Sequence, residues 1–73
     1  MKLIYLDLIH LNYPFITTEM KWTKDDIQFF YDNKLLLGII DNYGTLSIEI
    51  ESLENLIQYH RKVAIEQKKN NLG

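Results

Sequence analysis

The chain has no cysteine, which excludes a disulfide framework and any thiolate zinc site. Metal binding would have to rest on two histidines and scattered carboxylates. Its three glycines stand too far apart to cradle a phosphate, and no serine sits in a Gly-x-Ser-x-Gly elbow. No apolar run approaches the roughly 18 residues that a membrane span needs. Leu3, Ile4, Tyr5 and Leu6 after Met-Lys resemble the start of a signal peptide. Asp7 interrupts that run, however, and His10 and Asn12 follow with no small-residue cleavage site. These absences lead us to expect a cytoplasmic protein with no cofactor and no metal, and not an enzyme.

What is present is apolar. The 73 residues, 47% hydrophobic and 12% aromatic, make one domain, 1–73, too small to be strongly stable without a staple. Extra stability must come from an unusually apolar core or from a partner covering one face. Net charge is −2, unevenly spread. From residue 61 onward Arg61, Lys62, Lys68 and Lys69 oppose Glu66 alone, a net of +3, which leaves −5 on residues 1–60. An acidic body repels nucleic-acid backbones, and cations near a helix C-terminus complement its dipole. Isoleucine, lysine, asparagine, tyrosine and phenylalanine are plentiful, while alanine, arginine, valine and proline occur once each. That bias is typical of AT-rich coding sequence, as in low-GC bacteria, phages and mobile elements.

The expected fold class is α+β: a small antiparallel β-meander of about four strands with one C-terminal α-helix packed on one face. Leu46, Ile48 and Ile50 alternate with Thr45, Ser47, Glu49 and Glu51, so Thr45 to Glu51 reads as a half-buried strand. Lys34 to Ile40 is apolar on both faces and reads as a central strand covered on both sides. Asp41-Asn42-Tyr43-Gly44 supplies the turn between them. Asp32-Asn33-Lys34 is a second turn signal, which makes Ile27 to Tyr31 a preceding strand. A competing reading caps a helix with Thr23 and Asp26. Lys2 to Leu11 reads as a strand ended by Asn12-Tyr13-Pro14, and Phe15 to Trp22 as an irregular edge strand or loop. Residues 1–51 are thus mainly β. Residues 52–69 form a helix capped by Ser52, with Leu53, Leu56, Ile57, His60, Val63 and Ala64 on one face, and 70–73 form a loose tail.

Candidate chemistry is sparse. His60 sits among apolar helix residues and reads as a boundary histidine rather than a general base, which would need an orienting carboxylate. Asp7 and His10, three apart on a strand, would point to opposite faces. Glu49, Glu51 and Glu54 form an acidic patch of ordinary solvated composition. The aromatics say more, because one helix and a small sheet cannot hide nine rings. Phe29, Tyr5 and Trp22 are expected in the core. Asp7, Tyr13, Phe15, Trp22, Phe30, Tyr31 and Tyr43 are the candidate interaction residues, since exposed aromatics anchor protein interfaces. The expected function is a small non-enzymatic protein-interaction module, a regulator, inhibitor or adaptor of a larger protein. Self-association through an uncovered sheet face or the Lys2–Leu11 edge is its simplest version. The alternative is nucleic-acid binding by the basic C-terminal tail and the sheet aromatics.

Overall fold

The computed structural model describes the backbone of residues 1–72 and the side chains of residues 1–66. The architecture is α+β. A three-stranded antiparallel sheet consists of β1 (Leu3–Tyr5), β2 (Gly38–Ile40) and β3 (Leu46–Glu49), in the order β1-β3-β2. Helices α1 (Leu6–Asn12), α2 (Lys24–Asp32) and α3 (Ile50–Leu72) and a π-helical turn at Ile16–Met20 complete it. The antiparallel sheet and the C-terminal helix agree with the sequence reading. The sheet has three strands rather than four, and much of the expected β structure before residue 38 is helical.

The apolar side chains explain this. Leu6 and Ile9 on α1 and Tyr13 at its C-cap recur at helical spacing, and Ile9 is fully buried. Continuing β1 as a strand would have sent half of the run to water. Asp7 falls in the first turn of α1, where a carboxylate complements the helix dipole. It accepts a bond of 2.8 Å from Lys24 Nζ on α2.

The segment Phe15–Trp22, expected as an irregular edge strand or loop, instead contains the π-helical turn. It follows Pro14, which has no N–H to lose in a first turn. Ile16 and Met20 point to the core while Thr18 is exposed. The turn closes with Lys21 left-handed (φ 60°) and Trp22 N–H donating to Ile16 O at 3.0 Å.

The expected strand Ile27–Tyr31 lies within α2, as the competing reading held. Thr23 and Asp26 form the reciprocal capping box: Asp26 N–H donates to Thr23 Oγ1 (3.2 Å) and Thr23 N–H to Asp26 Oδ2 (2.8 Å). Thr23→Ala should destabilise the protein by about 1 kcal/mol, read from the midpoint of urea unfolding.

The left-handed residue after α2 is Lys34 (φ 63°), not Asp32 or Asn33. Leu35 N–H donates to Phe30 O and Lys34 N–H to Tyr31 O, the paired bonds of a Schellman helix end. This turn drives Leu36 into the core and leaves Leu35 and Leu37 outside.

The β2–β3 hairpin is where the sequence places it, but shorter and differently disposed. β3 is central and pairs with β1 (Ile4 opposite Ile48, Tyr5 opposite Ser47) and with β2 (Gly38 opposite Ile48, Ile39 opposite Ser47). β2 is an edge strand rather than a covered central one. Asp41 N–H donates to Thr45 O, Gly44 N–H donates to Asp41 O, and Gly44 takes the positive φ (79°) that this bulged turn requires.

Helix α3 starts at Ile50, so Ser52 lies inside its first turn and is not its cap. The Ser52 hydroxyl accepts from Leu37 N–H (3.1 Å) and donates to Glu49 O (2.8 Å), fastening the start of β2 to α3. Leu53 and Ile57 are buried, but from Tyr59 to Glu66 only Val63 is even half-buried. The helix therefore leaves the core after Ile57. The backbone is helical through Leu72, into the expected loose tail 70–73, whose Gly73 lies outside the described residues. The core unites Ile9, Ile16, Met20, Ile27, Leu36, Leu46, Ile48, Leu53 and Ile57. All the helical elements supply it from one side of the sheet.

Candidate functional site

Because every helical element packs on the face that carries Ile4, Leu46 and Ile48, the opposite face of the sheet is open. Residues directly opposite in an antiparallel ladder point to the same side, and this fixes the composition of the open face. One row is Tyr5–Ser47–Ile39 and the next is Leu3–Glu49–Leu37. The flanking side chains are half in water: Leu3 39% exposed, Tyr5 51%, Leu37 57% and Ile39 51%. Ser47, at the centre between Tyr5 and Ile39, is buried. Those four apolar residues together expose roughly 400 Å², within the range of the largest apolar patch on a typical monomer, which is often functional.

The aromatics expected at an interface are placed elsewhere, with one exception. Tyr13, Phe15, Trp22, Phe30 and Tyr31 are half-buried against the core. Trp22 meets Phe30 edge-on at 4.9 Å and His60 at 5.3 Å, and Tyr13 meets Phe15 at 5.9 Å. Burial, and next the Glu54 carboxylate beside it, push the Tyr13 phenol above its ordinary pKa. Tyr43, at the tip of the hairpin, is 94% exposed. Asp7 is exposed and bound to Lys24. Trp22 packs on the core as expected, but Tyr5 and Phe29 do not: both are more than half exposed. Leu3, Leu37 and Ile39 escaped the sequence reading because a strand apolar on both faces has the same pattern whether its second face is covered or bare.

The polar candidates are engaged within the fold. On helix α1 Asp7 and His10 lie on one side, not on the opposite faces of a strand. Yet Asp7 bonds to Lys24, and His10 Nε2 lies 2.7 Å from the Trp22 carbonyl. His60 is exposed and rests on Trp22. Glu49, Glu51 and Glu54 border a depression with Met1 and Lys2, and among the described residues no three His, Asp or Glu side chains converge on a point that could hold a metal. No described helix is long and apolar enough to cross a membrane.

Of the basic residues near the C-terminus, Arg61 is committed to the fold. Its Nη2 lies 2.9 Å from Glu19 Oε2, and its guanidinium sits 4.9 Å above the Phe15 ring. The side chains of Lys68 and Lys69 lie outside the described residues. The Arg61 hydrogen bond holds the Glu19 carboxyl below its ordinary range, against a smaller effect of burial, and the charges of Arg61 and His60 add to it. A pKa depressed by folding contributes stability above the ordinary carboxylate range, and loses it as pH falls through the folded-state value. Glu19→Gln should therefore be less stable than the parent at neutral pH. The difference should vanish in acid, as urea unfolding at a series of pH values would show.

Compared with known proteins, the chain matches no family model, no curated protein and no solved structure.

Proposed function

We propose that this protein is a small non-enzymatic interaction module, a regulator, inhibitor or adaptor that docks on a larger protein through the open face of its sheet. One observation carries the reading: Leu3, Tyr5, Leu37 and Ile39 stand half-exposed around Ser47 on a face that none of the protein's own helices covers. A globular chain of this size gains stability by burying such side chains, so leaving them out favours a surface kept for contact. Two of the four, Leu3 and Tyr5, stand on β1, and Leu37 and Ile39 stand at and within β2, so both edges of the sheet frame the patch. Glu49, between Leu3 and Leu37, gives it a polar centre that a cation of the partner would complement.

The test is capture from cell extract by the tagged protein, with nuclease and at two salt concentrations, beside the double variant Leu3→Ser/Tyr5→Ser. Both side chains are on the open face, so the variant should keep its circular dichroism spectrum and melting curve. One dominant protein retained by the parent and lost by the variant is the expected result. Retention by both would remove the open face as the docking surface, and capture abolished by nuclease would redirect attention to nucleic acid.

A further inference from the structure

The edge of β2 is built differently from the face. Leu37 O accepts from Glu49 N–H, and Asp41 N–H donates to Thr45 O. In an antiparallel ladder alternate residues bond to the neighbouring strand. Leu37, Ile39 and Asp41 therefore face β3, while the N–H and C=O groups of Gly38 and Ile40 point away from it. Natural edge strands are usually blunted by Lys, Pro or an inward charge. Leu35 to Ile40 carries none of these: it reads Leu-Leu-Leu-Gly-Ile-Ile, with neither charge nor proline.

From this edge we infer that the first partner of the chain is a second copy of itself, joined β2 to β2 in antiparallel register about a two-fold axis through Ile39. The inference rests on the interaction-module reading and deepens it. In that register Gly38 of each copy lies opposite Ile40 of the other, and each pair exchanges N–H···O=C bonds in both directions. The match is self-complementary, as a two-fold interface must be. Ile40 projects on the same side as Gly38, which has no side chain to oppose it, and the two Ile39 side chains meet on the open face. The register also brings Leu35 to the level of the hairpin tip that carries Tyr43.

Leu35, Leu37, Ile39, Ile40 and Tyr43 are each more than half exposed. Their combined exposure, roughly 600 Å² per copy, is the most the pairing could bury, since Leu37 and Ile39 keep part of theirs on the open face; it lies at the lower end of what specific dimers bury per partner. A second extended strand pairs these outward groups in ladder order in place of water. Between Ile57 and Glu66 α3 is a poorer dimer seam, since among these described residues the exposed large apolar side chains, Tyr59 and Ile65, do not share a helical stripe. The joined sheet would grow from three strands to six and present the two open faces side by side as one docking platform.

The experiment uses the purified full chain, by sedimentation equilibrium and amide hydrogen exchange from micromolar to millimolar concentrations. The expected mass rises with concentration towards twice 8.7 kDa. The Gly38 and Ile40 amides should gain protection in parallel, while the Ile39 amide, bonded within the monomer, should be protected throughout. Ile40→Pro removes only an outward N–H and suits an edge strand; it should weaken association by about tenfold or more. A chain that stays monomeric overturns the inference. So does a dimer whose Gly38 and Ile40 amides exchange as fast as in the monomer, or one that a folded Ile40→Pro variant forms equally well. Should that variant fail to fold, amide protection in the parent protein decides alone. These measurements involve no other protein, so their failure would leave capture of a larger partner through the Leu3/Tyr5 face standing. Loss of that capture would equally leave the dimer standing.

Discussion

Ile48→Ala should leave the protein largely unfolded at 25 °C. Ile48 is 0% exposed at the middle of the central strand, with Ile4 on one side and Gly38 on the other. It belongs to the cluster that joins the sheet to the helices. Truncating a buried isoleucine to alanine costs about 2–5 kcal/mol in transfer free energy and residual cavity. A single core in a chain of this length, unsupported by disulfide or metal, supplies only about 3–5 kcal/mol of net stability. The two figures are of one size, so a single substitution can consume the whole margin.

Ile39→Ala is the control. It sits one strand over and half in water on the open face, where the same truncation should cost less than about 1 kcal/mol. Circular dichroism at 25 °C and urea unfolding of both variants measure the contrast. A cooperative unfolding transition for Ile48→Ala within about 1 kcal/mol of the parent would mean that the core is not organised around β3.

The elements legible from sequence were those in which one local signal had no rival. The alternation of Leu46 and Ile48 with Ser47 and Glu49 marks a strand, though not its central place in the sheet, which the sequence reading assigns to Lys34–Ile40. Asp41 to Gly44 gave its turn, and Leu53, Leu56 and Ile57 gave the buried stripe of α3. The first half of the chain was misread where two periods fit the same residues. Ile, Tyr and Phe favour strands by composition, and that argument outweighed spacing in Lys2–Leu11. The spacing was nonetheless there: Leu6, Ile9, Tyr13, Ile16 and Met20 advance by three or four. Asp7 and His10 also conflict with a two-period strand, on which one of them must enter the covered face, whereas a helix places both on one side.

The capping box at Thr23 and Asp26 starts a helix that the Asp32-Asn33 turn signal stops early, so a strand over Ile27–Tyr31 reads as its rival. Helix α2 does end at Asp32, and its nine residues suffice because Ile27 is fully buried and Phe30 and Tyr31 pack beside it. The sequence suggests an uncovered sheet face but does not say which residues line it. The run Leu35 to Ile40 states that both sides of the chain are apolar, but only the position of β2 at the edge, with every helical element on one side, shows which residues remain uncovered.

Gly38→Ala tests that edge at its most sensitive point. A Cβ added at Gly38 would collide with the Ser47 carbonyl oxygen and stand 3.3 Å from Ile48 Cα. The nearer atom is backbone in the central strand and cannot swing aside as a side-chain tip can. Either β2 moves away from β3 or the central strand distorts. The lost ladder bonds and the strain together should destabilise the protein by about 3 kcal/mol or more.

Gly44→Ala provides the comparison. An added Cβ there meets no atom within 4 Å, but the residue holds a φ of 79° that alanine adopts reluctantly. Its cost should be about 1 kcal/mol, set by backbone conformation alone. Amide exchange can separate the two origins. In Gly38→Ala the Ile39 amide should lose protection while Ile4, on the other side of β3, keeps it. In Gly44→Ala both should stay protected. Equal destabilisation by the two substitutions would show that β2 does not approach β3 as closely at Gly38 as at its other residues. If the larger effect is found at Gly38, the glycine that permits the strand to close on Ser47 also aligns Leu37 and Ile39 with Leu3 and Tyr5 on the open face. Its replacement should then weaken partner capture along with stability.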